Sequence, residues 1–199
     1  MTTKISDKVA NGMIKFLEDE DKIMNIIEMS GYSDDVCSTG IKKLTSEEKI
    51  IQIMKKRKEI VDEVNKKESP AGKSMLYFHT WRQGIRILKS DEKIIEMMEL
   101  CEYFKEFTEV GVKYLQSEEN IMMLMEKAND TKTYQKGIVM LTSKENILKF
   151  IEMSGYAKDV FDNGIWLLEK MADLEEITKE AKENIEDIEE EIQKFREEN

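Results

Sequence analysis

Gly137 to Gly164 read GIVMLTSKENILKFIEMSGYAKDVFDNG, and much of the chain echoes this stretch. Gly111 opens a similar unit 26 residues earlier, and Gly84 another 27 before that. Gly40 opens one more, and Met13 stands 27 residues before Gly40. Ile26-Ile27-Glu28-Met29-Ser30-Gly31-Tyr32 returns as Phe150-Ile151-Glu152-Met153-Ser154-Gly155-Tyr156. A fixed spacing of this size is the signature of tandem supersecondary units.

Counted from the glycine as zero, position +1 is Ile or Val and position +4 is Leu in every unit, from Ile14 and Leu17 to Ile165 and Leu168. Residues three and four apart share a helix face, so this segment closes a helix. A glycine inside a helix costs about 1 kcal/mol relative to alanine. Its recurrence therefore predicts a close helix approach. Position +6 is Asp19, Ser46, Ser90, Ser117 and Ser143, residues that cap the start of a second helix. Position +8 is Asp21, Glu48, Glu92, Glu119 and Glu145, carboxylates suited to a first helical turn. Thr45 with Glu48, and Thr142 with Glu145, also fit a capping box that starts one residue earlier. Positions +10, +11, +13 and +14 are apolar throughout, as in Ile94, Ile95, Met97 and Met98, and predict a wide buried stripe. Gly31 and Gly155 stand where a glycine ends that helix.

The reading is an all-α chain of tandem two-helix units, an α-solenoid or an irregular bundle, over residues 1–170. Pairs of short helices arranged in this way resemble the architecture of HEAT and armadillo proteins, although a unit near 27 residues is shorter than theirs. Composition agrees: 37% of residues are charged, with one Pro and nine Gly, which favours helix over strand.

Two breaks in the pattern carry the functional expectations. Gly40 to Gly84 spans 44 residues, leaving room for a projecting helical hairpin at about 55–86, with its turn near Ser69-Pro70-Ala71-Gly72. That arm has a local charge of +5 on a chain of −11. Lys55, Lys56, Arg57, Lys58, Lys73, Tyr77, His79, Trp81, Arg82 and Arg86 are its candidate contacts for an acidic partner or a phosphate backbone. Lys15, Lys42, Arg86 and Lys113 share position +2 and extend the same expectation along one edge. A solvated arm whose aromatics pack on the units is the competing structural reading.

The last unit has Lys170 where the others have a capping residue, so its helix should run on through an acidic tail, 171–199. Met171, Leu174, Thr178, Ala181, Ile185, Ile188, Ile192 and Phe195 alternate steps of three and four, a heptad seam. It suits either self-association between chains or folding back. Residues 169–199 carry a net charge of −8.

One histidine and no phosphate-binding loop or nucleophile elbow argue against an enzyme, and no cofactor or metal is expected. Cys37 and Cys101 have no metal or redox spacing. Together with the lack of a long apolar run and of a leader's apolar segment, they point to a cytoplasmic protein without a membrane partner. The expected role is an interaction scaffold or adaptor for another protein. A nucleic-acid-associated protein binding through the hairpin is the alternative.

Overall fold

The computed structural model describes residues 4–67 and 78–197, with side chains described through Val64, from His79 on, and as far as Lys179 except Ile177. The chain is all-α: eleven α-helices and no strand occur among the described residues. In order they are α1 (Asp7–Ile14), α2 (Glu20–Met29), α3 (Asp34–Ile41), α4 (Glu47–Lys67), α5 (Phe78–Ile87), α6 (Asp91–Leu100), α7 (Lys105–Gly111), α8 (Glu118–Ala128), α9 (Thr131–Ile138), α10 (Lys144–Met153) and α11 (Lys158–Glu197). A 3-10 turn, Val112–Tyr114, follows α7. The chain divides into two compact units, Met1–Gly137 and Ile138–Asn199.

The helices begin where the capping residues predict. Asp19 Oδ1 accepts the Asp21 and Lys22 amides at 3.0 and 3.1 Å. Ser46, Ser90, Ser117 and Ser143 each accept the amide three residues on, at 3.3–3.4 Å. Thr45 is not the cap that the capping-box spacing suggested, because its hydroxyl donates elsewhere, to Glu20. Each odd-numbered helix ends at or shortly after its unit's glycine or its Met13 equivalent, except α11, which passes Gly164 without a break.

In the first unit, α1, α3, α5 and α7 contact one another in series, and so do α4, α6 and α8. The core lies between these two series. Its members are the predicted apolar positions, among them Ile14, Ile41, Ile85 and Val112 at +1, and Ile23, Ile50, Ile94 and Ile121 at +10, each no more than 1% exposed. Position +11 lies on the flank of the stripe and is less consistent: Ile51 is buried, Met24 and Ile95 are half-buried, and Leu148 is 57% exposed.

The sequence pattern does not announce what ties successive units together. Position +7, the first residue of the second helix, is Glu20, Glu47 and Asp91 in the first three units. Each reaches forward to the loop that precedes the corresponding helix of the next unit. Glu20 Oε1 accepts from the Thr45 amide at 2.6 Å, the Thr45 hydroxyl at 2.7 Å and the Ser46 amide at 3.4 Å. Glu47 accepts from the Lys89 amide, and from the Ser90 amide and hydroxyl at 3.0 and 2.6 Å. Asp91 accepts from the Gln116 and Ser117 amides at 2.8 Å each and from Asn120 Nδ2 at 2.9 Å. Lys43 supports the same edge by donating to the Lys15 and Leu17 carbonyls at 2.7 and 2.9 Å.

These bonds favour the ionised carboxylate. The Thr45 hydroxyl and then its amide draw the Glu20 carboxyl down to about 2. For Glu47 and Asp91 desolvation pushes upward, but their hydrogen bonds together outweigh it and both lie below the usual carboxylate range. Because the folded values lie below the unfolded ones, the stabilisation is fully present above the unfolded values, near pH 4–4.5. It is lost as pH falls through the folded values, reaching about pH 2 for Glu20. Glu20→Gln should therefore lower stability at pH 7 and flatten the loss between pH 5 and 2, as read by urea unfolding. At neutral pH, Asp91→Ala should cost about 1.5–3 kcal/mol, the range for hydrogen bonds to a charged group. Ser117→Ala, which removes only the cap, should cost about 0.5–2 kcal/mol.

The exits of the second helices also recur. Gly31 and Tyr32 have φ of 69° and 55°, and Gly155 and Tyr156 have 63° and 57°. At the same place after α6, Glu102 and Tyr103 have φ of 53° and 54°. Glu102 thus holds a left-handed conformation where two other units use glycine, at a cost of about 1–2 kcal/mol. Its side chain meets Lys58 at 3.0 Å while 76% exposed, a contact worth about 0–1 kcal/mol. Glu102→Gly is expected to raise stability by about 0.5–1 kcal/mol, measured from the shift in the denaturation midpoint.

Candidate interaction surfaces

α4 runs 21 residues, past the length of the other second helices, and so carries the basic run Lys55–Lys58. Lys73, Tyr77 and the hairpin turn lie outside the described residues. The rest of the arm is only partly a surface. Arg57 is 6% exposed. Its Nη1 donates to the Tyr32 carbonyl at 2.7 Å and its Nη2 to Asp34 Oδ1 at 3.2 Å. Asp34 Oδ1 also accepts the Thr80 hydroxyl at 2.6 Å. One guanidinium thereby joins the exit of α2, the start of α3, α4 and, through Thr80, α5. Trp81 is 1% exposed and packs on Phe107 with ring centroids 5.6 Å apart. Arg57 and Trp81 therefore belong to the core at the base of the arm instead of lining a contact surface: the helical register turns both inward.

The neighbouring lysines have partners within the chain. Lys55 meets Glu96 at 2.7 Å and Lys56 meets Glu59 at 2.7 Å. Lys58 meets Asp62 at 3.3 Å and Glu102 at 3.0 Å. The local charge of +5, which already counts Glu59 and Asp62, is offset in part by acids from outside the segment, Asp34 on α3, Glu96 on α6 and Glu102 in the turn after α6. His79, Arg82 and Arg86 are exposed on α5. Lys15, Lys42 and Lys113 are exposed as well, but each precedes a loop and a helix start that carry acids, Asp19–Asp21, Glu47–Glu48 and Glu118–Glu119. This edge carries both signs of charge.

Several large apolar side chains are also exposed. Phe16 is 89% exposed in the first unit. In the second unit Tyr156, Leu148, Trp166 and Leu174 are 63%, 57%, 56% and 62% exposed. α11 extends unbroken for 40 residues. Of the heptad residues, Met171 is half-buried, Leu174 and Thr178 are exposed, and Ala181, Ile185, Ile188, Ile192 and Phe195 lie beyond the described side chains. Lys144 on α10 pairs with Glu175 on α11 at 2.7 Å.

Among the described residues, no group of three His, Cys, Asp or Glu side chains could hold a metal ion. Burial pushes the Cys37 and Cys101 thiols up to about 12, so neither is a thiolate nucleophile at neutral pH. No described helix is long and apolar enough to cross a membrane.

Two features here were missed in the sequence. The forward-reaching acids had a signal, since position +7 is Glu20, Glu47, Asp91 and Glu118 in four units out of five. Arg57 had none, because it lies in the inserted segment and has no counterpart in the other units. No protein-family model matches the chain, and no curated protein or solved structure matches it either.

Proposed function

We propose that this chain is a non-enzymatic interaction scaffold, an α-solenoid-like array that binds another protein and self-associates through its C-terminal helix. The observation that carries this reading is the division of labour among its side chains. Many charged groups are spent on holding one unit to the next, while the exposed surface offers large apolar side chains, Phe16 and Trp166 among them. Exposed aromatics are the groups that anchor protein partners. Helical arrays serve such partners with extended surface and need no reactive pocket. The pairing of Lys55, Lys56 and Lys58 with acids weighs against the alternative, a phosphate backbone bound along the hairpin.

The test uses full-length protein immobilised in nuclease-treated extract of its own cell, beside a Phe16→Ala/Trp166→Ala variant. A protein retained by the first and lost from the second is expected. Deletion of 55–86 is no control, because it removes Arg57 and Trp81 from the core. Capture that disappears with nuclease, or salt-sensitive binding of unspecific duplex DNA or RNA, would reverse the reading in favour of nucleic acid.

A further inference from the structure

We infer that α11 is one strand of a parallel, in-register two-stranded coiled coil with a second copy of this chain. The inference deepens the scaffold reading by fixing partner and orientation for the C-terminal helix. At 1.5 Å per residue, α11 is about 60 Å long, whereas α10, the helix packed on it in the second unit, is about 15 Å. Most of α11 extends past anything α10 can cover. Where the seam begins, Leu174 is already 62% exposed.

The heptad places Met171, Thr178, Ile185 and Ile192 at a, and Leu174, Ala181, Ile188 and Phe195 at d. The flanking e positions are then Glu175, Lys182, Glu189 and Arg196, and the g positions are Lys170, Ile177, Asn184 and Glu191. In a parallel pair each g residue faces the e residue five places on in the other strand. Lys170 then faces Glu175 of the second copy, and Glu191 faces Arg196, each pair occurring twice by symmetry. Ile177 opposite Lys182 and Asn184 opposite Glu189 bring no like charges together. An antiparallel pair with matched ends, Leu174 level with Ile192, instead sets Glu175 beside Glu189 and Lys182 beside Lys182. Sliding that pair by one heptad repairs the charges only by leaving Met171 and Leu174 without a partner layer. β-Branched Ile185 and Ile192 at a with Leu174 at d fit two strands, whereas Ile188 at d fits three or four, so a trimer or tetramer by mass would also overturn the inference. Lys170 and Glu175 already have exposed partners within the chain, Asp173 at 3.6 Å and Lys144 at 2.7 Å, so Glu191–Arg196 is the more informative pair to test.

Sedimentation equilibrium of the full chain should give a dimer. Ile192→Cys should form a disulfide between identical positions under mild oxidation, since parallel strands bring the two residues 192 together. An end-matched antiparallel pair separates them by about 27 Å. Glu191→Arg or Arg196→Glu alone should weaken dimerisation roughly tenfold by turning two facing pairs repulsive, and the double exchange should restore it. A monomer at every concentration overturns the inference. So does a dimer that forms no such disulfide and ignores the single charge reversals. A monomer would also remove self-association from the scaffold reading, whereas retention of a partner through Phe16 and Trp166 would leave its partner binding standing.

Discussion

Arg57→Met is expected to destabilise the first unit by about 3–5 kcal/mol, the range for breaking a buried charge pair by removing one member. The substitution keeps most of the apolar stem but takes away both donors. It leaves the Tyr32 carbonyl and the Asp34 carboxylate without the guanidinium they share. Had Arg57 been one more solvated cation on a projecting arm, the change would fall within about 0.5 kcal/mol. Arg57→Lys should recover less than half the loss, because the shorter ammonium loses the planar fork whose Nη1 and Nη2 span the Tyr32 carbonyl and the Asp34 carboxylate. Urea unfolding of the three proteins, with m-values compared, decides the matter. A methionine variant as stable as the parent would mean that the arm's base is not held by this group.

Gly164→Leu should cost about 3 kcal/mol, the upper end of overpacking. A Cβ at Gly164 would lie 2.6 and 2.8 Å from Ile151 Cδ1 and Cγ1, and 2.9 Å from Ile138 Cδ1. Gly40 is similar, with Ile27 Cδ1 at 2.5 Å and Cγ1 at 3.1 Å. At Gly111 the nearest atoms are Met98 Sδ and Cε, at 2.9 and 3.1 Å. An unbranched methionine end can swing aside, so Gly111→Leu should be the mildest of the three. Gly12 provides the opposite sign. It lies inside α1 with nothing within 4 Å of an added Cβ, so Gly12→Ala should stabilise by about 0.5–1 kcal/mol. Helix propensity alone predicts a gain at every one of these positions. Thermal or urea denaturation therefore separates close approach from backbone cost by sign.

These glycines and the capping serines were legible because each leaves a signature at its own position. A cap is satisfied three residues on, and a recurring glycine contradicts helix propensity wherever it stands. The unbroken run of α11 was legible for the same reason, from Lys170 standing where a cap would stop it. What the spacing could not reveal depends on chain segments that meet only after folding. Glu20 and Thr45 are 25 residues apart, and Glu47 and Ser90 are 43 apart. A carboxylate at a helix start looks the same in sequence whether it faces water or the next loop. For Arg57 the charge count itself misled. Nine basic residues along 55–86 suggested an exposed field, but which of them faces inward depends on the register of α4 against α3 and α5.

The forward reach of Glu20, Glu47 and Asp91 makes the chain extensible by gene duplication. Copying residues 84–110 would insert the amides of Lys89 and Ser90, which need an acceptor, together with Asp91, which supplies one. The added segment would be received by Glu47 and would itself receive its C-terminal neighbour, leaving no orphan at either junction. Lys144 holds the same place in its own segment, and an ammonium accepts nothing. A copy inserted after it would meet a donor where an acceptor is required. Tandem copying that keeps this bond is therefore available at Glu20, Glu47 and Asp91 and not at Lys144.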